Sequence, residues 1–316
     1  MGRRKDLVVR IVKIFLSVLL FAGVVSYIGV GKIIHALLSM DLFYLPFIFI
    51  FFALNIFLAP VPSIFLYRPI MMKKVPLFEF YHLRLFTYMF GSFTPGKLGE
   101  YSLLYFLKKY YHAKVMPIFF ILSLDKAITL LHILLFSLVA FLTLFSSFHF
   151  AFYVALFLLL LVASFFFGRF IILKIRWVSV HLFRVKEVHA FLFTLGDFSK
   201  QYMKSYLPYL LANFVLTFLL HLLIAYIAMV TYASFSINVP LFSVFLVNSV
   251  IGLISLIPLN LFGFGIKEVT SVYLFTFVGV PPAVSTSSII IFILFRYIIY
   301  LLYFASRDFP FGKNSV

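Results

Sequence analysis

The stretch SFTPGKLGE, residues 92–100, interrupts an apolar segment and decides the architecture of the chain. Apolar sequence covers residues 78–93 before the interruption and 101–107 after it. Each flank is shorter than the about 20 residues that a membrane-spanning helix needs. Proline removes a backbone donor and glycine favours irregular geometry, so Pro95, Gly96 and Gly99 end the first half-helix here. We therefore predict a re-entrant hairpin over 78–107.

A second segment, 241–278, has the same construction. Its apolar first half breaks at Pro258, Gly263 and Gly265, and apolar sequence then resumes. Each break places a basic residue close to a glutamate, and a charge-bearing span follows each hairpin. Paired broken helices in the two halves of a chain are typical of inverted-repeat transporters, whose site lies near the membrane midplane.

The rest of the chain is strongly apolar. Of its 316 residues, 65% are hydrophobic and 11% are charged, whereas soluble proteins have about 45–50% and about 25%. Beside the hairpins lie six stretches long enough to span a membrane. We therefore predict an all-α, polytopic integral membrane protein with six spans and two oppositely oriented re-entrant hairpins. The spans cover about residues 14–30, 42–66 (bent at Pro60 and Pro62), 115–145, 150–173, 206–232 and 283–305.

We expect residues 1–316 to form a single membrane domain. Its first half, 1–173, and second half, 205–316, flank a basic amphipathic stretch over 174–204 that we place at the membrane interface. The first span resembles a signal peptide but has no small-x-small cleavage pattern, so we expect a retained anchor. The chain has no cysteine, which excludes a disulfide framework and a thiolate metal site.

The net charge of +17 has a membrane explanation. On the predicted map, 21 of the 26 Lys and Arg side chains lie on one side of the membrane, whereas the opposite side has only Lys32. Arg84 is counted among the 21, as a residue of a loop on that side. The positive-inside rule then places both termini in the cytoplasm. We expect the protein in the plasma membrane. We expect membrane lipids as partners and no nucleic acid, and leave a homo-oligomer open.

Seven charged side chains remain at membrane depth, where each costs at least about 2.5–3.5 kcal/mol unless it is paired or hydrated. At each break, the second half-helix turns its unpaired N–H groups and positive dipole end toward the hairpin tip. A lysine there completes an arrangement suited to phosphate or carboxylate. The predicted substrate-binding residues are Lys97, Glu100, Asp125, Lys126, Lys267, Glu268 and Arg296.

Their individual roles stay open at this point. The two hairpin lysines could instead snorkel to an interface, and the glutamates could cap helices, balance a lysine, bind a cationic headgroup or carry a proton. Asp125 and Lys126 diverge by about 100° on a helix, so we expect each to find a different partner, in the hairpin or in the substrate. Four other polar residues are expected to form interhelical hydrogen bonds rather than bind ligands: His132, Asn213, His221 and Asn248.

The predicted site residues are compatible with three functions. The sequence has no nucleophile elbow, P-loop or His-Glu-x-x-His motif, so we favour a lipid carrier over an enzyme and expect neither cofactor nor metal. A membrane glycosyltransferase acting on a polyprenyl-phosphate sugar could use Glu100 or Asp125 as its base. A non-catalytic membrane partner subunit is the third alternative.

Three motifs carry a family resemblance: Pro95-Gly96-Lys97-Leu98-Gly99-Glu100, Asp125-Lys126, and Gly263-Phe264-Gly265-Ile266-Lys267-Glu268. In order and spacing the chain resembles the flippase-type transmembrane region of the lysylphosphatidylglycerol synthase family. The resemblance implies movement of a phosphate-bearing lipid between leaflets, with polyprenyl-phosphate sugars as a second substrate class. Lysines replace the family's usual arginines, which argues against bidentate phosphate binding. No aminoacyl-transferring domain follows, so lipid aminoacylation is not expected.

Overall fold

The computed structural model describes residues 22–23, 25–71, 75–94, 99–113, 115–144, 186–255 and 266–306. These ranges are helical apart from short turns, and they contain no strand. The predicted first span lies mostly outside them, and the predicted span over 150–173 lies outside them entirely. The α-helices are α1 (Val30–Leu38), α2 (Leu45–Leu58), α3 (Val61–Met71), α4 (Leu77–Gly91), α5 (Ser102–Tyr111), α6 (Val115–Leu144), α7 (Lys186–Ala233), α8 (Leu241–Ile254), α9 (Ile266–Thr276) and α10 (Pro282–Ala305).

Four segments within the described ranges are long and apolar enough to cross a membrane. They are Leu42–Tyr67, Ile121–Leu144, Leu207–Ala233 and Pro282–Ala305, with mean hydropathy between 2.2 and 2.4. They correspond to four of the six predicted spans. The helix is interrupted near Pro60, where we predicted a bend, since α2 ends at Leu58 and α3 begins at Val61. Proline fits the first turn of α3 because the N–H that it lacks would have no helical partner there.

Both predicted interruptions separate short helices. α4 and α5 have 15 and 10 residues, and α8 and α9 have 14 and 11. At 1.5 Å per residue these helices are roughly 15–22 Å long, less than the about 30 Å of a bilayer's hydrocarbon core. Of the predicted break residues, Gly99 is described, whereas Pro95, Gly96, Pro258, Gly263 and Gly265 lie outside the described residues.

The amphipathic stretch that we predicted over 174–204 is described from residue 186 onward. There it is helical and continuous with the following span, so that α7 runs for 48 residues with Pro208 inside it. The boundary that the sequence suggested at residue 205 is therefore not a helix end.

Each hairpin contacts the long helix that follows the other hairpin. α8 packs against α6, the span that follows the first hairpin. α4 and the turn after it contact α10, the span that follows the second hairpin. The Ser92 and Tyr300 hydroxyls lie 2.9 Å apart, and Phe86 packs edge-on against Phe304. Each hairpin thus rests on the long helix that belongs to the other one.

Three apolar clusters lie within the described residues. The largest draws on α1, α2, α4 and α6 to α10. A small one joins Ile28 and Ile33 to Val272 on α9. The third surrounds the first hairpin, where fully buried Leu66, Leu103, Leu107 and Ile121 come from α3, α5 and α6. The first hairpin is therefore enclosed by protein on several sides, which sets the environment of its charges.

Candidate functional site

Arg84 lies on α4 and is only 2% exposed. Its placement in a cytoplasmic loop was therefore wrong, and one of the 21 charges that set the predicted orientation has to be removed from that count. A buried charge is tolerated when it is paired and hydrogen-bonded. Arg84 meets that condition, because its guanidinium faces two carboxylates and a hydroxyl.

The Arg84 guanidinium donates three hydrogen bonds into three different helical segments. Its Nε donates to Ser63 Oγ on α3 at 2.9 Å. Its two terminal nitrogens donate to Glu100 Oε2, just before α5, at 2.8 Å and to Asp125 Oδ2, on α6, at 3.2 Å. The planar fork of an arginine suits such divergent acceptors, which a lysine cannot reproduce. Arg84 therefore ties the first hairpin to α3 and α6.

Lys126 completes this cluster from the next position on α6. Its Nζ donates to the same Glu100 oxygen at 2.6 Å. Two cations, Arg84 and Lys126, thus balance two carboxylates, Glu100 and Asp125, and the set is neutral. The side chain of Lys126 is 33% exposed, whereas those of Arg84 and Glu100 are 3% and 0% exposed. We name these four residues the charge cluster.

Asp125 also binds across to α7. Its Oδ1 accepts a hydrogen bond from Asn213 Nδ2 at 2.8 Å. The expectation that Asn213 forms an interhelical hydrogen bond is confirmed. So is the expectation that Asp125 and Lys126 find different direct partners, because Lys126 bonds to Glu100 and Asp125 to Arg84 and Asn213. Through these contacts Asp125 and Lys126 tie α6 to the first hairpin.

The other three polar residues behave differently. The ring of His132 contacts the carbonyl of Ile128 in its own helix at 3.0 Å, and it also interacts with the backbone of Phe214 and packs against its ring on α7. His221 faces His132 from α7 with ring centroids 6.0 Å apart. The side-chain nitrogen of Asn248 is buried and has no hydrogen-bond partner among the described residues.

Replacement of Asn213 by leucine is expected to lower thermal stability, because it removes the only α7 hydrogen bond to Asp125 among the described residues and leaves that oxygen buried. An unmade bond to a buried charged group costs about 1–3 kcal/mol. Thermal unfolding in detergent measures this effect. Exposed Asn238 provides the matched control, and equal melting temperatures for Asn213→Leu and Asn238→Leu would contradict the prediction.

The turn of the first hairpin is closed by close backbone contacts. The Gly99 N–H donates to Thr94 Oγ1 at 2.7 Å, and the Thr94 N–H donates to the Gly91 carbonyl. A Cβ atom at Gly99 would lie 2.8 Å from the carbonyl oxygen of Phe90, and one at Gly91 would lie 2.6 Å from Glu100 Cγ. Glycine at these positions therefore lets the chain bring Glu100 against α4.

Glu100 lies in a single 3₁₀ turn over 99–101, directly before α5 begins at Ser102, and its carboxylate is bonded to Arg84 and Lys126. Glu268, in contrast, is buried in the first turn of α9. The two hairpins therefore hold their glutamates in different ways.

The second hairpin's charges lie near a group of tyrosines. Arg296 is half-buried on α10. It interacts electrostatically with Tyr88 on α4 and with Tyr300 on its own helix. Tyr88 is also within electrostatic range of Glu100. Tyr88 therefore lies near both Glu100 of the charge cluster and Arg296.

The predicted site residues fall into three sets in the structure. Glu100, Asp125 and Lys126 are brought together, whereas Lys267, Glu268 and Arg296 belong to the second hairpin and its span, and Lys97 lies outside the described residues. Within the described ranges, no three His, Asp or Glu side chains are grouped to hold a metal.

Sequence reasoning missed Arg84, although a signal was present. Arg84 is the only Lys or Arg in a largely apolar half-helix, and the same kind of position singled out Arg296. Because the charge count assigned Arg84 to a loop, its position inside a half-helix was not considered.

The apolar spans, broken helices and buried charge cluster define a helical, multi-pass membrane protein. More particularly, the chain belongs to the family described as the lysylphosphatidylglycerol synthase TM region, whose sequence pattern matches residues 10–303. The resemblance that the three motifs predicted is thereby confirmed. No curated protein and no solved structure matches the chain.

Proposed function

We propose that this protein is a flippase or carrier that moves a lipid with a phosphate-bearing headgroup, a phospholipid or a polyprenyl-phosphate lipid, between leaflets. The observation that carries the proposal is the buried charge cluster at the first broken helix. Ionisable side chains inside a membrane domain are rare and mark pathways for polar groups. The family description, which names a synthase of lysylphosphatidylglycerol, an aminoacylated phospholipid, supports a lipid as the substrate.

The headgroup phosphate would lie among Lys97, Lys267, Arg296 and the N-terminal ends of the second half-helices. Helix N-termini and lysines together favour anions. Buried Glu268, in the first turn of α9, marks the corresponding end in the second hairpin. The acyl or prenyl chains would stay in the bilayer, so that only the polar headgroup requires a path through the protein.

Alternating access would come from rocking of two inverted repeats around this site. The contacts of each hairpin with the span that follows the other support it, since α8 packs against α6, and side chains of α4 and of the turn after it meet α10. If a two-fold axis relates the repeats, the contact of α8 with α6 has a counterpart between α4 and α10. Re-entry of both hairpins, six spans and cytoplasmic termini in the plasma membrane complete the proposed topology.

The transferase alternative is less well supported by the geometry. Glu100 and Asp125, its two candidate bases, both accept hydrogen bonds from the buried Arg84. A general base must be within reach of the substrate proton that it removes. These two carboxylates instead point at an internal cation, which is the arrangement of an anchor.

Fluorescent phospholipid and polyprenyl-phosphate analogues in proteoliposomes test the proposal through their quenching by external dithionite. We expect the wild type to expose inner-leaflet probe and Arg296→Ala to reduce that rate by about tenfold or more, as loss of a charged substrate contact predicts. Lys97→Ala and Glu268→Gln are expected to act in the same direction.

The exposed Lys108→Ala variant is the matched control and should transport at the wild-type rate. If folded wild-type protein moves none of these lipids, with or without an imposed ion gradient, the carrier proposal is wrong. Sugar transfer from a polyprenyl-phosphate donor by the same preparation would then favour the transferase.

A further inference from the structure

We propose that the charge cluster is an exchange site, in which Lys126 leaves Glu100 and binds the phosphate of the substrate while Arg84 keeps Glu100 compensated. This inference rests on the proposed function and adds Lys126 to the groups that we propose bind the headgroup phosphate, Lys97, Lys267 and Arg296. It assigns different roles to two cations that share one carboxylate oxygen: Lys126 contacts substrate, and Arg84 is a positioning residue.

The two ends of the cluster differ in their access to the surroundings. Arg84 is 3% exposed and has three acceptors on three segments, so its release would break all three bonds. Lys126 is 33% exposed and reaches the cluster through Glu100. A lysine has a flexible stem and a compact charge, so it can swing to a new acceptor without rearranging a helix. The exchangeable end is therefore the Lys126 end.

The shared carboxylate keeps Glu100 paired during the exchange, although one guanidinium then faces two carboxylates and the remaining set carries one net negative charge. Glu100 Oε2 accepts from Lys126 at 2.6 Å and from Arg84 at 2.8 Å. When Lys126 departs, Glu100 still faces the Arg84 guanidinium and is not left as an isolated buried charge, which would cost several kcal/mol. A buried carboxylate whose only cationic partner was the departing lysine would lack this support.

Phosphate is the chemical class that matches the released lysine. An ammonium group binds a phosphate oxygen as a point charge and needs no fixed orientation. Glu100 then acts as an internal competitor for the substrate anion. This competition gives the inference a signature that a purely structural ion pair lacks, because neutralising Glu100 should strengthen anion binding.

The test is a binding titration of the full-length protein in neutral nanodiscs with dihexanoyl phosphatidylglycerol, inorganic phosphate and uncharged dihexanoylglycerol. We expect Lys126→Ala to weaken phosphatidylglycerol binding at least about tenfold, which corresponds to about 1.4 kcal/mol. Lys126→Arg should retain affinity within about threefold, and Glu100→Gln should raise it, since the competing charge is gone. Lys108→Ala is the control.

Each outcome is decisive. Wild-type affinity in a folded Lys126→Ala variant overturns the exchange and leaves the carrier proposal standing. Weaker binding in folded Glu100→Gln overturns it as well, because a competitor cannot aid the ligand. If the wild type binds inorganic phosphate but not phosphatidylglycerol, and Lys126→Ala loses the phosphate binding, the exchange stands, but the phosphate that Lys126 binds does not come from a lipid. If the wild type transports lipid yet binds neither anion, the exchange is wrong, and if it does neither, both proposals are wrong.

Discussion

Replacing Arg84 with alanine is expected to prevent accumulation of stably folded protein. The substitution removes three hydrogen bonds and leaves Glu100 and Asp125 as buried carboxylates without their shared guanidinium. Breaking a buried ion pair by removing one partner costs about 3–5 kcal/mol, and total stability of a domain is about 5–15 kcal/mol. Size-exclusion chromatography and thermal unfolding in detergent measure the loss.

Two further variants separate charge from packing at this position. Arg84→Lys keeps the charge but cannot reach three divergent acceptors, so we expect only partial recovery. The triple change Arg84→Met, Glu100→Gln and Asp125→Asn removes the three most buried charges and leaves the partly exposed Lys126, and recovery of folded protein there would show that uncompensated buried charge caused the loss. Wild-type melting of Arg84→Ala, equal to that of the exposed-site variant Lys108→Ala, would refute the assigned role.

Replacing Gly99 with alanine is expected to destabilise the first hairpin and to disrupt transport. The new Cβ would lie 2.8 Å from the Phe90 carbonyl oxygen and 2.9 Å from its carbon, and both are backbone atoms that cannot turn away. Forced overpacking of this kind costs about 1–3 kcal/mol. Because Glu100 is the next residue, the same displacement would separate its carboxylate from Lys126.

Gly31 supplies the matched control for that substitution. It lies in α1, and a Cβ there meets nothing within 4 Å. Gly31→Ala should therefore melt at or slightly above the wild-type temperature, since alanine favours helix by up to about 1 kcal/mol over glycine. Equal transport and melting in the Gly99 and Gly31 variants would show that the hairpin tolerates a wider turn.

The outcome for Arg84 also shows where reasoning from sequence reaches its limit. The placement of α4, α5, α8 and α9 followed from hydrophobicity and from proline and glycine, which act on their own neighbourhood in the chain. The same local signals cannot say which charges meet. A charge count assigned Arg84 to a loop, because a cation beside basic sequence resembles a loop residue until its partners are known.

The sequence by itself determined that the chain is a helical membrane protein of the lysylphosphatidylglycerol synthase TM region family, with two broken helices and charges beside the breaks. Membrane insertion and helix interruption depend on local composition, so short segments specify them. Only the tertiary structure decided the pairing of those charges. Arg84 lies 16 residues from Glu100 and 41 from Asp125, and Asn213 lies 88 from Asp125. Such contacts exist because α3, α4, α6 and α7 pack together, and hydrogen bonds this short depend on that packing rather than on any spacing along the chain.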